Sequence, residues 1–158
     1  MSIVIRQIDP SYSQYEELLA LIMASFAYMD GVIDPPSSAH RLTIASLTDK
    51  ARDEIALIAE MDATLVGCAF LRPEPDFLYL GKLAVAAEAQ GQGIGGRLLA
   101  EGEAIAQQLG KQALRLETRI ELTGNHDRFG AWGFVRTAER SHAGYDRPTY
   151  IEMQKRLT

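Results

Sequence analysis

Four glycines fall within six positions, Gly91, Gly93, Gly95 and Gly96, between a strand-like run ending at Val85 and a run with helical spacing that begins at Ile94. No other stretch limits the fold as much. Glycine lets a backbone take left-handed angles or come close to another group. A helix that starts directly after such a loop aims unpaired N–H groups and a partial positive charge back at it. Strand, glycine loop and helix start, in that order, make a cradle for an anion, phosphate above all. One tight turn needs one or two glycines, so four read as a ligand cradle rather than a turn alone.

The remaining patterning surrounds this loop with hairpins. Ser2–Ile8 is β-branched and alternating, which predicts a first strand; Asp9, Pro10 and Ser11 end it and offer capping side chains. Tyr15, Leu18, Leu19, Ile22 and Phe26 recur at helical spacing over roughly 12–29. Pro35–Ser38 breaks the chain and starts a second helix running to about Leu47. Glu54–Glu60 and Thr64–Arg72 form a hairpin around Met61–Ala63, and Phe77–Val85 is the next strand. The helix from Ile94 to Leu109 carries an apolar stripe of Ile94, Leu98, Ile105 and Leu109, and Gly110 stands where a left-handed C-terminal cap belongs. Ala113–Thr118 is a strand, 125–132 a short helix, and 134–139 and 149–156 are closing strands. One domain over 1–158 is expected, an α+β layer in which about four helices flank a mixed, mostly antiparallel sheet of about seven strands.

The glycine loop fits two fingerprints. Gly91 to Gly96 satisfies G-x-G-x-x-G, the dinucleotide signature, and Glu117 lies 21 residues after Gly96, where a ribose-binding acid belongs. Two features oppose that NAD-type reading. Five residues, Ala86–Gln90, separate the strand from the loop, whereas the fingerprint leaves its strand directly. Only about 40 residues follow Glu117, too few for the further crossovers of about 30 residues each that a doubly wound sheet needs. The second reading begins one residue earlier, with Gln90-x-x-Gly93-x-Gly95.

The segment LAVAAEAQGQGIGGRLL, with that Q-x-x-G-x-G loop, resembles the acetyl-CoA-binding motif of the GNAT N-acetyltransferase superfamily. GNHDRFGAWGF, 124–134, is similar to the family's fourth helix, which closes on aromatic-x-x-x-Gly-Phe, here Phe129, Gly133 and Phe134. The element order resembles that fold over most of the chain. The resemblance implies acetyl transfer from acetyl-CoA to a primary amine in a ternary complex. Gln90, Gly91, Gln92, Gly93, Ile94, Gly95 and Gly96 would hold the pyrophosphate of coenzyme A. Leu83, Ala84 and Val85 would line its pantetheine arm, with backbone groups of Leu83 and Val85 polarising the thioester carbonyl. Asn125 and Phe129 match further cofactor positions. The resemblance places the acceptor between the first two helices and the last hairpin, where Tyr28, Asp30, Arg41 and Tyr79 are the candidate lining.

Attack on a thioester needs a neutral amine, and keeping a lysine-like amine deprotonated at neutral pH costs about 4.6 kcal/mol, so a base is expected. The strand 77–85 carries no carboxylate, although a glutamate there is one family solution. By elimination the candidate bases are Glu117 and His126, directly or through water. The family's usual acid is a tyrosine where this chain has Phe129, which donates no proton; Tyr145 or water is the candidate donor to the leaving thiolate. The missing hydroxyl keeps open a second class, a coenzyme A-binding sensor or regulatory module without turnover.

Composition removes other classes. A net charge of −5 and an isoelectric point near 5.2 disfavour a nucleic-acid surface, and mild acidity suits a small cationic substrate. Cys68 is the only cysteine, so no internal disulfide forms; His40, His126 and His142 lie far apart, and no metal is expected. The start lacks a signal peptide and no apolar run reaches bilayer length, so a cytoplasmic protein without membrane attachment is expected. Its partner is a small-molecule or peptide amine, and dimerisation, common in the resembled family, is a further expectation.

Overall fold

The apolar runs become strands and the 3.6-residue stripes become helices. The computed structural model describes residues 2–157 and gives, in chain order, β1 (Ile3–Gln7), α1 (Tyr15–Phe26), α2 (Ile44–Asp53), β2 (Ile55–Met61), β3 (Thr64–Pro73), β4 (Phe77–Val85), α3 (Ile94–Gln108), β5 (Ala113–Arg119), α4 (Thr123–Ala131), β6 (Val135–Arg140) and β7 (Tyr150–Arg156). The seven strands form one sheet in the order β1-β2-β3-β4-β5-β7-β6. Every neighbouring pair is antiparallel except β4 and β5, which run parallel. The expected mixed sheet with four helices is therefore what the chain forms.

β3 is buried along most of its length because it is covered on both faces, which explains its unbroken apolar sequence. Its odd residues face α3: a side chain on Gly67 would meet Ile94 and Leu98 at 3.0 and 3.3 Å, and Leu71 lies against Gly102. Its even residue Phe70 faces the other way, with the Lys50 ammonium of α2 5.6 Å from the ring centroid. α1 and α2 pack together on that side. The sheet thus separates an α1–α2 face from an α3 face.

Two helix stops use one device. After α3, Gly110 takes φ +72, its N–H donates to the Gln107 carbonyl and that of Lys111 to the Ala106 carbonyl. After α4, Gly133 takes φ +99, with its N–H to Gly130 and that of Phe134 to Phe129. Both are Schellman caps, in which an apolar contact joins the residue after the glycine to one near the helix end. Here that contact is Phe134 on Phe129, with ring centroids 5.9 Å apart. The aromatic-x-x-x-Gly-Phe signature is thus a helix terminator.

Three boundaries differ from expectation. The second helix does not start at the prolines: Ser38–Arg41 form a 3₁₀ turn, and α2 begins at Ile44 behind Thr43. Thr43 and Ser46 cap it reciprocally, each side chain accepting from the other's backbone N–H at 3.0 and 2.9 Å. The Asp9 carboxylate caps no helix; it accepts from the backbone and hydroxyl of Ser11, and α1 starts only at Tyr15. α1 also stops at Phe26, with a 3₁₀ turn over Ala27–Met29.

Cys68 is fully buried in β3 and its thiol donates to the Lys82 carbonyl at 3.3 Å. Burial pushes its pKa up to about 12 from an ordinary 9.0, so it is no nucleophile at neutral pH. The unfolded chain releases that proton near pH 9 and the folded chain near 12. The stability contributed by this thiol is therefore complete below 9 and lost as pH rises toward 12. Urea unfolding measured below and above pH 9 should show the native chain losing more stability over that interval than Cys68→Ala; equal losses would mean the thiol is not held protonated.

Candidate active site

The parallel pair β4 and β5 parts early. Their register runs from Phe77–Ala113 to Tyr79–Arg115 and stops there. β4 continues to Val85 against β3, and β5 to Arg119 against β7. A bulge drives the parting: Cys68 pairs with Ala84 and Phe70 with Gly81, so Lys82 and Leu83 together oppose Ala69, and Lys82 takes φ +50. From Leu80 onward the β5-facing edge of β4 has no strand partner among the described residues. The gap between the strands opens into a cleft of about 970 Å³, large enough for a cofactor arm and a small second ligand.

The glycine loop stands at one end of this gap. A 3₁₀ turn over Ala87–Ala89 and the extended Gln90 carry the chain from β4 to it. Gly91 and Gly93 take φ +82 and +79, and an added side chain on either would enter open space. Both therefore need glycine for the backbone and keep the cradle clear. Gly93 caps α3 without a side-chain partner, and the helical hydrogen bonds begin with the Arg97 N–H on the Gly93 carbonyl. The N–H groups of Ile94, Gly95 and Gly96 are the unpaired donors of the first turn. Gly95 has a further reason to be small: Trp132 lies 3.2 Å from where its side chain would start, whereas at Gly96 the same ring is 3.8 Å away, an ordinary contact. Gly91 and Gly93 thus answer to the backbone and the cradle, and Gly95 also leaves room for a tryptophan.

Of the residues singled out in the sequence, the cleft gathers Leu83, Ala84, Val85, Gln90, Gly91, Gly93, Ile94, Gly95, Gly96, Asn125 and Phe129 on the cofactor side, with Glu117, Tyr28, Arg41 and Tyr79. The Val85 carbonyl accepts from the Ser25 hydroxyl at 3.2 Å, and the Asn125 amide donates to the Tyr28 hydroxyl at 3.3 Å, linking the end of α1 to the start of α4. Phe129 is held edge-on by Trp132 and Phe134. Glu117 is exposed in the cleft and faces the Tyr79 hydroxyl at 3.4 Å. Burial first, then the Glu117 charge, pushes the Tyr79 phenol far above its ordinary range, so it stays protonated.

Four candidates do not line the cleft: Gln92, Asp30, His126 and Tyr145. Asp30 pairs with His40 at 2.7 Å. His126 Nε2 donates to the Arg119 carbonyl at 2.9 Å, a bond that braces the start of α4. The Tyr145 hydroxyl donates to Asp34 at 2.8 Å, and that bond raises its pKa. Sequence reasoning passed over Lys82, Arg119 and His142, all cleft residues. Lys82 left a signal, as the one charge in the apolar run FLYLGKLAV. Its ammonium donates to Ser38 at 3.0 Å, and its pKa is lowered by burial first and then by the nearby Lys50 and Arg41 charges. No group of metal-ligating side chains occurs, and no helix is long and apolar enough to cross a membrane, among the described residues.

Comparison with known proteins follows the same lines. Residues 15–134 match the model of the acetyltransferase (GNAT) family. No curated protein matches the chain. Among solved structures, the PaiA N-acetyltransferase of Thermoplasma acidophilum in complex with coenzyme A aligns with a TM-score of 0.80 at 22% identity, over 99% of this chain and 100% of that one. A GNAT acetyltransferase of Staphylococcus aureus Mu50 gives 0.78 at 15% identity, over 99% and 100%. A GNAT acetyltransferase of Elizabethkingia anophelis with acetyl-CoA bound gives 0.70 at 20% identity, over 98% of each chain. At these identities the likeness speaks for the fold.

Proposed function

The chain belongs to the GNAT acetyltransferase family, and on that premise we propose that it moves an acetyl group from acetyl-CoA to a primary amine by direct attack. The observation that carries this is the clear cradle at Gly91 and Gly93, set before free α3 N–H groups at the mouth of the β4–β5 gap. A pyrophosphate fits that donor set: backbone N–H groups and a helix N-terminus hold an anion without any lysine. Bound there, acetyl-CoA supplies the thioester whose acyl carbon the amine attacks.

The chain's own residues then divide the work. Gly93 to Gly96 hold the phosphates, and the unpaired β4 edge from Leu80 to Val85 seats the pantetheine arm. Glu117, the one candidate base that faces the cleft, takes the proton of the incoming amine directly or through water; the Tyr79 hydroxyl lies 3.4 Å from its carboxylate. Tyr145 does not replace the absent tyrosine at Phe129, since it is engaged with Asp34 outside the cleft. A thiolate with a pKa near 8.5 leaves without an acid and takes its proton from water.

A thiol-release assay with acetyl-CoA against a panel of amines, run beside thermal shifts with coenzyme A and NAD, tests the reading. Release with at least one amine, and stabilisation by coenzyme A alone, are expected. Stabilisation by NAD but not by coenzyme A would sink it, and stabilisation by coenzyme A without release on any amine would favour the sensor. Glu117→Gln should lower kcat/KM at neutral pH by about 10²-fold or more, with the loss shrinking as pH approaches the pKa of the amine, because a self-deprotonated acceptor needs no base. A loss that does not shrink with pH would remove Glu117 from the role of base.

A further inference from the structure

The cleft has a second charged feature, on the face opposite the glycine cradle. Lys82, Arg41 and Arg119 all line it there. Lys82 reaches Ser38, and the Arg119 guanidinium donates to the carbonyls of Pro35 and Pro36, all in the segment that connects α1 to α2. Arg41 closes the 3₁₀ turn of the same segment. Among the described residues none of the three has a carboxylate within 4.0 Å, whereas the neighbouring Lys50 is paired with Glu54 at 2.7 Å. Arg41 and Arg119 act on Lys82 as repelling charges. Three cations gathered with no carboxylate in ion-pair contact, with Glu54 acting on Lys82 and Glu121 and Asp34 on Arg119 only from beyond 4.0 Å, leave a place for an anion to join them.

We propose that the acceptor is a small amine that also carries a carboxylate, with the carboxylate held by Arg41, Lys82 and Arg119 and the amine presented to Glu117. The phosphates of coenzyme A do not account for these cations, because the glycine cradle opens α3 on the other side of the sheet. The amine end has its own partner: the carboxylate of Glu117 stands where β4 and β5 part, beside Tyr79, three positions before Lys82 on the same strand. One cleft thus offers a negative end and a positive end to a single zwitterion, and arginine forks match a carboxylate with two parallel hydrogen bonds. The mild acidity of the whole chain pointed to cationic substrates, and the local arrangement reverses that hint.

This assignment rests on the acetyl-transfer reading, and the two fail differently. The test is thiol release from acetyl-CoA with α-, β- and ω-amino acids, each beside its carboxamide, together with spermidine and O-phosphoethanolamine. At least one free acid should exceed its carboxamide in kcat/KM by tenfold or more, through KM. Arg41→Gln, an exposed change that breaks no side-chain hydrogen bond or ion pair among the described residues, should narrow that acid-over-amide preference at least several-fold; Lys82→Met should do the same, and neither should alter the thermal shift given by coenzyme A. Carboxamides or spermidine used as well as the acids, O-phosphoethanolamine preferred to every carboxylate, or an unchanged preference in Arg41→Gln would each overturn the assignment. Absence of release with every amine would overturn acetyl transfer itself, and this assignment with it.

Discussion

Gly93→Val is expected to abolish the stabilisation by coenzyme A and the thiol release together, while the chain still folds. Two effects act at once. At φ +79 a β-branched residue is strained by about 1–3 kcal/mol, which lowers the melting temperature of a chain this size by several degrees. The valine side chain also projects into the open cradle, where its Cβ meets no described residue beyond its chain neighbours within 4 Å. Each backbone N–H to a charged oxygen is worth about 1.5–3 kcal/mol, so losing one or two weakens cofactor binding by roughly 10- to 10⁴-fold. Gly110→Val separates the two effects. It imposes the same kind of strain, at φ +72 with nothing within 4 Å, but at the opposite end of α3. That variant should melt earlier and still respond fully to coenzyme A. If Gly93→Val also kept its response, the loop would not be the cradle.

Phe70→Ala carries the largest expected cost in stability. Phe70 is wholly buried on β3, which pairs on both sides, and it faces the α1–α2 layer under the ammonium of Lys50. Removing a fully buried phenyl ring forfeits its transfer free energy and leaves a cavity, together about 3–5 kcal/mol. At about 2–4 °C per kcal/mol for a chain of this length, the melting temperature should fall by roughly 6–20 °C. Val4→Ala, half-exposed on the outer strand β1, is the matched control and should cost about 0.5 kcal/mol or less. Thermal unfolding of the pair decides it: similar shifts would mean that β3 is not the centre of the core.

What the sequence made legible was whatever depends on near neighbours. The strands followed from alternation and from the uninterrupted run of β3, and the end of α3 from Gly110. The place of α2 was missed because two prolines look like a helix start. The actual signal was Thr43 with Ser46 in the third position, where glutamate is the familiar partner. Side chains whose partners come from distant segments were harder still. Tyr145 meets Asp34, His126 meets a β5 carbonyl, and the cations of the cleft come from a 3₁₀ turn, a bulge and a strand end. Only the tertiary arrangement brings these together. The bulge at Lys82 left two local traces, a glycine at 81 inside a strand and a charge in an apolar run. Trp132 accounts for one of the four glycines, Gly95, where an added side chain would crowd its ring.

The short register between β4 and β5 has a mechanical consequence. Among the described residues, three residue pairs, with one more hydrogen bond from the Gln112 N–H to the Asp76 carbonyl below them, are all the strand pairing that joins a four-stranded leaf, β1 to β4, to a three-stranded leaf of β5, β7 and β6. The far ends of the leaves are fastened by side chains, among them Asn125 to Tyr28, Arg119 to the proline carbonyls, and Lys155 of β7 to Glu103 of α3. A molecule lying in the gap touches both leaves and becomes a splice between them. Its binding energy is spent partly on joining two halves of one sheet, so occupancy should slow amide exchange in β6 and β7 as well as beside the glycine loop.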